Sequence, residues 1–151
     1  MTDLALRAKA VWGYDAGFMA ACRAELTVDP DSIRRHPTRL IEAGGRVLGF
    51  YQLRLDGARA DVLMIVVAPE ALGAGLGRRL WGHLEDTARA AGAACLEVDS
   101  DPHAEGFYRA MGKHRVGEAP SGSIAGRMLP HLAKELAPGD HGMLRTMAMR
   151  R

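Results

Sequence analysis

The most regular pattern of hydrophobic and polar positions runs from residue 62 to residue 91. Its first part, Val62 to Val67, is a short apolar run rich in β-branched residues, which is typical of a strand buried on both faces. Farther along, apolar residues recur at every fourth position among charged or small neighbours, at Leu76, Leu80, Leu84 and Ala88. This spacing predicts an amphipathic helix, and Gly92 is a suitable residue to end it.

Three alternate glycines, Gly73, Gly75 and Gly77, separate this strand from the helix. Without Cβ atoms they let a ligand approach the backbone, and they accept the positive φ angles at which N–H groups converge. The start of a helix adds unpaired N–H groups and a partial positive charge, and Arg78 and Arg79 add formal charge. The loop is a candidate cradle for a phosphate or pyrophosphate, although a tight strand-to-helix turn would also account for the glycines.

Two common phosphate-binding loops fit this segment poorly. The mononucleotide loop ends in Gly-Lys-Ser or Gly-Lys-Thr, whereas Gly77 is followed by Arg78 and Arg79. The dinucleotide loop requires a glycine at position 78 and an acidic residue after the next strand. Asp99 could supply the acid, but the glycine is missing.

The segment before residue 62 predicts two helices followed by an antiparallel meander. The first helix spans Leu4 to Val11, and the second begins at Asp15, which is a suitable N-cap. Three strands follow, joined by the pairs Gly44-Gly45 and Asp56-Gly57, both suited to tight hairpin turns. These strands are Thr38 to Ala43, Arg46 to Leu55 and Ala58 to Val67.

The segment after the central helix predicts a mixed sheet. Ala93 to Val98 should lie parallel to the preceding strand, because a strand, a helix and a strand of these lengths form a βαβ unit. Asp101 is a suitable N-cap for a short helix. His114 to Glu118 and Met128 to Leu136 predict two more strands, the last interrupted or at an edge because it contains Pro130. The whole is an α/β domain of residues 1–137 with a C-terminal tail, 138–151.

Composition and charge exclude several classes of protein. The chain has 151 residues, 48% hydrophobic and 25% charged, as in a soluble globular domain. A net charge of only +2 gives no argument for nucleic-acid binding. No apolar run approaches the roughly 20 residues that span a bilayer, and the N-terminus lacks a signal-peptide core. We therefore expect a cytoplasmic protein without membrane or nucleic-acid partners.

The cysteines and histidines show no spacing typical of a metal site or a disulfide framework. Cys22 and Cys95 are far apart in apolar contexts, which favours buried free thiols over a disulfide or a nucleophile. The six histidines form no paired metal-ligand spacing, so no metal is expected.

Two separated segments resemble one family. Residues 67–80 read V-x-P-x-x-x-G-x-G-x-G-R-x-L and resemble the acyl-CoA pyrophosphate loop of the GNAT superfamily of N-acetyltransferases. Residues 101–112 read D-x-x-A-x-x-F-Y-x-x-M-G and resemble that family's N-x-x-A-x-x-F-Y-x-x-x-G helix. The resemblance extends from about Leu4 to Leu136, and residues 120–123 and 126–130 resemble some bacterial members. It implies an α+β fold with a mixed, mostly antiparallel sheet, a central βαβ unit and helices on both faces.

The resemblance implies acetyl-CoA as the cofactor. Tyr108 would be the general acid that protonates the departing CoA thiolate, Phe107 would flank the cofactor arm, and Asp101 would stand where the family often has an Asn that contacts it. The backbone of Ile65, Val66 and Val67 would pair with the pantetheine arm. The pyrophosphate would lie on the loop, at Leu72, Gly73, Ala74, Gly75, Leu76 and Gly77, with Arg78 nearby.

The chain departs from the family pattern at several points. Leu72 replaces the usual Arg or Gln, and Asp101 replaces the usual Asn. The central strand lacks the Glu often used as a base, which leaves Asp61, Glu97 or a water relay as candidates. No strand is predicted before the first helix, whereas family members normally have one there.

The expected acceptor is a primary amine of a small molecule or peptide. Direct attack in a ternary complex is implied, because no cysteine lies where an acyl-enzyme would form. Trp12, Tyr14, Tyr51 and the loop from Pro120 to Ser123 are candidates for its pocket, and unpaired sheet edges are compatible with a homodimer. Two alternatives stay open: a non-catalytic acyl-CoA-binding module, and a nucleotide-binding regulatory domain that uses the same loop.

Overall fold

One six-stranded sheet forms the centre of the computed structural model, which describes residues 1–137. The strands are β1 (Thr38–Ala43), β2 (Arg46–Asp56), β3 (Arg59–Val67), β4 (Cys95–Asp99), β5 (His114–Pro120) and β6 (Met128–Glu135). Their order in the sheet is β1-β2-β3-β4-β6-β5, and only the β3–β4 pair is parallel. The predicted α/β fold with a mixed, mostly antiparallel sheet is confirmed. The predicted C-terminal tail lies outside the described residues.

Helices cover both faces of the sheet. They are α1 (Thr2–Ala10), α2 (Ala16–Cys22), α3 (Pro30–Arg35), α4 (Leu76–Ala90) and α5 (Glu105–Ala110), with single 3₁₀ turns at Pro69–Ala71 and Pro102–Ala104. The predicted caps are present, since Asp15 and Asp101 accept hydrogen bonds from the N–H groups of Phe18 and His103. None of the helices within residues 1–137 is long and apolar enough to cross a membrane.

Two hydrophobic clusters fix these helices to the sheet. The larger lies under α4 and α5 and contains, among others, Leu53, Val62, Leu80, Leu84, Leu96 and Leu132. The smaller lies under α1 and contains Leu4, Ala5, Phe50, Val66 and Ala68. The four-residue period of α4 thus predicts its buried face correctly.

The hairpin turns differ slightly from prediction. Gly44 and Gly45 both have positive φ, 58° and 74°, as a two-residue primed turn requires. In the second hairpin Asp56 still pairs with Arg59. The turn is therefore Gly57-Ala58, one residue later than predicted.

Strand β3 contains a bulge at Leu63. Gln52 of β2 pairs with Met64 and the next residue, Leu53, pairs with Val62, which leaves Leu63 without a partner. The side chains that face α4 therefore change from even-numbered to odd-numbered positions along the strand: Ala60 and Val62 before the bulge, Ile65 and Val67 after it.

Strands β3 and β4 separate near the middle of the sheet. They pair only from Arg59↔Cys95 to Asp61↔Glu97. Beyond Asp61, β3 continues to Val67 with β2 as its strand partner, while the rest of β4 pairs with β6. One edge of β3 is left open, as the family resemblance implies.

Strand β6 lies between β4 and β5 and runs without a break through Pro130, so the expected interruption or edge position is wrong. The carbonyl of Pro130 accepts a hydrogen bond from the Ser100 N–H at 2.9 Å. On that side of β6 the pairing with β4 has already ended at Asp99↔His131. The N–H that proline lacks would point to the same side, so its absence breaks no bond between the two strands.

The two thiols are free, as expected, but they differ in burial. Cys22 is buried, whereas Cys95 is partly exposed. The expectation that both are buried is therefore wrong for Cys95.

Candidate active site

Two clefts meet where β3 and β4 separate. The loop cleft has a volume of about 620 Å³ and lies between the glycine loop, the second half of β3, α1 and α5. The polar cleft has a volume of about 480 Å³ and lies between β2, β3, the end of β4 and the β5–β6 connection. Five residues line both clefts and mark their junction: Lys9, Leu26, Leu63, Met64 and Asp101.

The glycine loop presents a row of unpaired backbone N–H groups to the loop cleft. Gly75 precedes α4 with a left-handed φ of 79°, and no side chain caps the helix. Within residues 1–137, the backbone N–H groups of Gly73, Gly75, Leu76, Gly77 and Arg78 have no hydrogen-bond acceptor. This arrangement can bind an anion, because the donors converge at the positive end of the helix dipole.

Gly77 is required for packing, whereas Gly73 and Gly75 are required for their backbone conformation. Gly77 lies within α4, and a Cβ atom there would be 3.2 Å from Cε2 of Phe107. The missing side chain therefore lets Phe107 of α5 pack against the first turn of α4. Gly73, in contrast, has a φ of 83° and no atom near its Cβ position, so its conformation requires glycine.

Most of the predicted cofactor residues line the loop cleft: Ile65, Val66, Val67, Leu72, Gly73, Gly75, Leu76, Gly77, Arg78, Asp101, Phe107 and Tyr108. Ala74 does not line it, and its N–H is bonded to the carbonyl of Ala71. Leu72 is 58% exposed at the rim. Arg78 and Arg79 are exposed, and neither forms an ion pair with another residue of the described chain.

The open edge of β3 carries further unpaired backbone groups. The Ala68 N–H bonds to Leu48 on the β2 side. Because successive N–H groups of an antiparallel strand point to opposite sides, those of Val67 and Ile65 point into the gap between β3 and β4. An extended ligand could therefore pair with this edge.

Tyr108 lies in the loop cleft with its ring buried and its hydroxyl unbonded. The residue is 6% exposed, and its ring packs against Trp81 and Phe107 at centroid distances of 5.9 and 5.3 Å. Its hydroxyl forms no hydrogen bond with any other residue from 1 to 137. Burial, and then the charge of Asp101, raise the pKa of Tyr108. The hydroxyl is therefore protonated at neutral pH and available to donate.

Asp101 connects three parts of the chain at the junction. Its carboxylate accepts hydrogen bonds from Lys9 Nζ at 3.1 Å and the Tyr14 hydroxyl at 2.9 Å, and Arg127 lies 3.6 Å away. Burial alone would raise the pKa of Asp101, but the His103 N–H, Tyr14 and Lys9 outweigh it and lower the pKa. Asp101 is thus ionised, caps the turn at His103 and binds Lys9 and Tyr14.

The two candidate bases from the sequence, Asp61 and Glu97, are both held by arginines. Asp61 lines the polar cleft, but Arg54 Nη2 lies 2.8 Å and Arg59 Nε 3.6 Å from its carboxylate. Glu97 is adjacent to Asp61 in the parallel pair and lies 3.3 Å from Arg59 Nε. Both carboxylates are therefore engaged in ion pairs.

No sequence pattern points to His131, which lines the polar cleft from β6. Its Nδ1 is 2.6 Å from Asp99 Oδ1, and its Nε2 is 3.5 Å from Glu97 Oε1. Burial lowers the pKa of His131, but the hydrogen bonds to Asp99 and Glu97 outweigh it and raise the pKa above its ordinary value. No three His, Cys, Asp or Glu side chains in the described part of the chain form a group that could hold a metal ion.

The structure places the predicted acceptor residues in different surroundings. Trp12 is 43% exposed, lines the loop cleft and not the polar cleft, and stacks on His103 at 5.2 Å. Tyr14 reaches the junction through its ring, whose centroid lies 5.6 Å from Lys9 Nζ, and through its hydroxyl, which donates to Asp101 and receives a hydrogen bond from Arg127 at 2.7 Å. Pro120, Ser121 and Gly122 of the predicted loop line the polar cleft.

The assignment of Tyr51 to the acceptor pocket is wrong. Tyr51 is fully buried on the α4 face of the sheet, where its hydroxyl shares hydrogen bonds with His83 Nδ1 at 2.7 Å and Thr87 Oγ1 at 2.8 Å. Because side chains alternate along a strand, the next residue, Gln52, faces the polar cleft instead.

Comparison with known proteins identifies the family. The sequence model of the acetyltransferase (GNAT) family matches residues 7–113. The chain belongs to the GNAT family. It is 32% identical over 120 residues to mycothiol acetyltransferase of Pseudarthrobacter chlorophenolicus, a match that covers 73% of this chain and 31% of the relative. This GNAT-family chain thus spans about a third of the length of that curated relative.

Solved structures of acetyltransferases share the fold. The IAA acetyltransferase from Bacillus cereus has a TM-score of 0.60 and 25% identity, over 70% of this chain and 81% of that one. An aminoglycoside 6′-N-acetyltransferase complexed with coenzyme A has a TM-score of 0.68 over 91% of this chain and 89% of that one. Its identity is 17%, so this likeness concerns the fold alone.

Proposed function

We propose that this GNAT-family protein transfers the acetyl group of acetyl-CoA to a primary amine of a small molecule or peptide, by direct attack in a ternary complex. The observation that carries the proposal is the row of five unpaired N–H groups at the start of α4, which opens into a cleft that contains the unbonded Tyr108 hydroxyl. One end of the cleft suits a pyrophosphate, and a proton donor lines the same cleft.

The loop cleft fits acetyl-CoA in charge and in shape. The N–H groups of Gly73 to Arg78 and the free guanidinium groups of Arg78 and Arg79 would hold the pyrophosphate, and the open edge of β3 would pair with the extended arm. The coenzyme A bound by the aminoglycoside acetyltransferase supports this choice of ligand. When bound, acetyl-CoA would supply a thioester whose carbonyl carbon the amine attacks.

The residues of the chain would assist this reaction at two atoms. The Val67 N–H, which points into the gap between β3 and β4, would donate to the carbonyl oxygen, and such donors typically contribute about 10²–10³ in rate. The Tyr108 hydroxyl would donate its proton at the sulfur. Its raised pKa keeps that proton in place at neutral pH.

The polar cleft would hold the acceptor. It joins the loop cleft at Lys9, Met64 and Asp101, so an amine bound there could approach the thioester from the side opposite the pyrophosphate. Cys22 lines the same cleft but is only 1% exposed. Direct attack is therefore favoured over an acyl-enzyme.

The decisive experiment combines coenzyme A binding with acetyl transfer. The wild-type protein should be stabilised by acetyl-CoA and coenzyme A, and should release free thiol with at least one amine of a panel of small amines and N-terminal peptides. Tyr108→Phe should bind coenzyme A within about threefold of wild type and lose about 10²-fold in kcat, since it lacks the acid. Tyr51→Phe makes the same change outside both clefts and should keep the wild-type kcat.

Other results would select the alternatives. Coenzyme A binding without turnover on any amine would identify an acyl-CoA-binding module. Leu72 and Asp101, which replace the family residues, favour this hypothesis. Binding of ATP or NAD without binding of coenzyme A would point to a nucleotide-binding domain and reject the proposal.

A further inference from the structure

We propose that His131, oriented by Asp99, is the general base that takes the proton of the acceptor ammonium in the polar cleft. This role rests on the proposed function and replaces Asp61 and Glu97, the bases suggested by the sequence. An amine needs such a group, because its protonated form has no lone pair with which to attack a thioester.

The position of His131 follows from the register of two strands. Asp99 and His131 are directly paired across β4 and β6, and their side chains meet at 2.6 Å through Nδ1. A carboxylate on Nδ1 fixes the orientation of the ring and places the lone pair of the neutral imidazole on Nε2. The side chain is 28% exposed and lines the polar cleft, so Nε2 can be reached directly or through one water.

The other acidic groups of the cleft are less suited to this task. Asp61 is held by Arg54 and Arg59, and Asp101 by Lys9 and Tyr14. Glu97 bonds to Arg59 and does not line the polar cleft. Its contact with Nε2, at 3.5 Å, is long for a hydrogen bond, so Glu97 holds this nitrogen less firmly than Asp99 holds Nδ1.

Each proton that moves in the reaction can be assigned to His131, Tyr108, the substrates or solvent. The acceptor ammonium gives one proton to Nε2, and the resulting imidazolium is stabilised by Asp99 and Glu97. The amine nitrogen then forms the N–C bond while the C–S bond breaks, and the sulfur takes the proton of Tyr108. The second nitrogen proton returns to the Tyr108 oxygen through water, and His131 releases its proton to solvent.

The charged groups around His131 set the pH at which it works. Asp99 and Glu97 of β4 face it, Arg59 and Asp61 of β3 flank Glu97, and the residue opposite on β5 is Gly117, which brings no charge. The two carboxylates raise the pKa of His131. We therefore expect kcat/KM for the amine to rise with pH through a single limb centred above pH 6.5, the ordinary value for histidine.

The test is a set of pH–rate profiles with His131→Gln, Asp99→Asn and Glu97→Gln. His131→Gln should lose the limb and about 10²-fold in kcat/KM for the amine, with the dissociation constant of coenzyme A unchanged. Asp99→Asn and Glu97→Gln should each keep the limb but move it to lower pH, because each removes a charge that favours the imidazolium. His114→Gln, on the exposed face of β5, is the matched control and should behave as wild type.

An independent readout does not need turnover. Titration of the imidazole signals by NMR should give His131 the same pKa as the kinetic limb, and Asp99→Asn should lower both together. A pH limb that persists in His131→Gln would overturn the role of His131 and leave the proposed function standing. The same holds if that limb disappears instead in Glu97→Gln. A wild-type protein that acetylates no amine would reject the proposed function and this role with it.

Discussion

Asp101 is the residue on which most polar contacts at the junction of the clefts depend. It joins Lys9 of α1 and Tyr14 before α2, near the start of the chain, to Arg127 before β6. Because its side chain is only 12% exposed, its charge needs these partners. The carboxylate is thus accompanied by a local set of cations and donors.

We expect Asp101→Asn to destabilise the protein at neutral pH by about 1.5–3 kcal/mol, the usual range for hydrogen bonds to a charged group. The pKa of Asp101 is lower in the folded chain than in the unfolded chain. Its stabilisation is therefore complete above the unfolded value of about 3.9 and is lost as the pH falls through the folded value.

Urea unfolding at pH 7 and at pH 3 measures this dependence. The difference between wild type and Asp101→Asn should be large at pH 7 and should shrink at pH 3. Asp56→Asn, at an exposed hairpin position, should show no such change. A difference that is equal at both pH values would show that the charge of Asp101 contributes nothing.

Tyr51 gives a second prediction for a single residue. Tyr51→Phe removes the hydroxyl that bonds to His83 and Thr87 of α4, and should lower the free energy of unfolding by about 1–2 kcal/mol. Thermal unfolding measures this loss, and an acetyl-transfer assay on the same sample should show none. Lower activity at full stability would return Tyr51 to the acceptor pocket.

Among the secondary-structure elements, α4 is fixed to β2 by a close approach at Gly49. A Cβ atom at Gly49 would lie 2.8 Å from the Val66 carbonyl oxygen and 3.0 Å from Cδ1 of Leu80. Gly49→Ala should therefore push α4 and β3 from β2 and cost about 1–3 kcal/mol or more.

The control for this change lies on α4 itself. Gly82 has no atom within 4 Å of its Cβ position, and an alanine there should be neutral or stabilise the helix by up to about 1 kcal/mol. Thermal unfolding of both variants measures the contrast. Equal unfolding midpoints for the two variants would show that the sheet adjusts to the extra methyl group at Gly49 without a loss of stability.

The elements that the sequence predicts well are those with a local signal. The period of Leu76, Leu80 and Leu84 marks α4, and paired glycines mark the first hairpin. The partners of His131 are 32 and 34 residues away and depend on the register of β4 with β6, which no local pattern specifies. The prediction for Tyr51 is wrong because nothing in its own strand shows which helix covers its face.

At the scale of the whole molecule, the gap between β3 and β4 divides one sheet into two parts that a ligand can bridge. Coenzyme A should slow amide hydrogen exchange at Ile65 and Val67 on the open edge, and from Gly73 to Arg78 in the loop. The paired segment from Arg59 to Asp61 should be unaffected.

Exchange followed by mass spectrometry, with ATP at the same concentration as the control, tests this expectation. Protection of the loop by both ligands would indicate that the loop recognises phosphate in general. Protection confined to β1 and β2 would place the binding site elsewhere and contradict the site described above.

The bulge at Leu63 also determines how the chain tolerates the loss of a residue. Replacing Leu63 by alanine would trim one side chain at the junction of the clefts and leave the two faces of β3 as they are. Deleting it would restore plain alternation and leave Ile65 and Val67 facing the cluster under α4, because Leu63 is the extra residue that has no partner on β2. One missing codon at this point would thus keep the inside and the outside of the strand, whereas loss of the codon for Glu97 in β4, which pairs with β6 in an unbroken register, would turn Leu96 and Val98 to opposite faces.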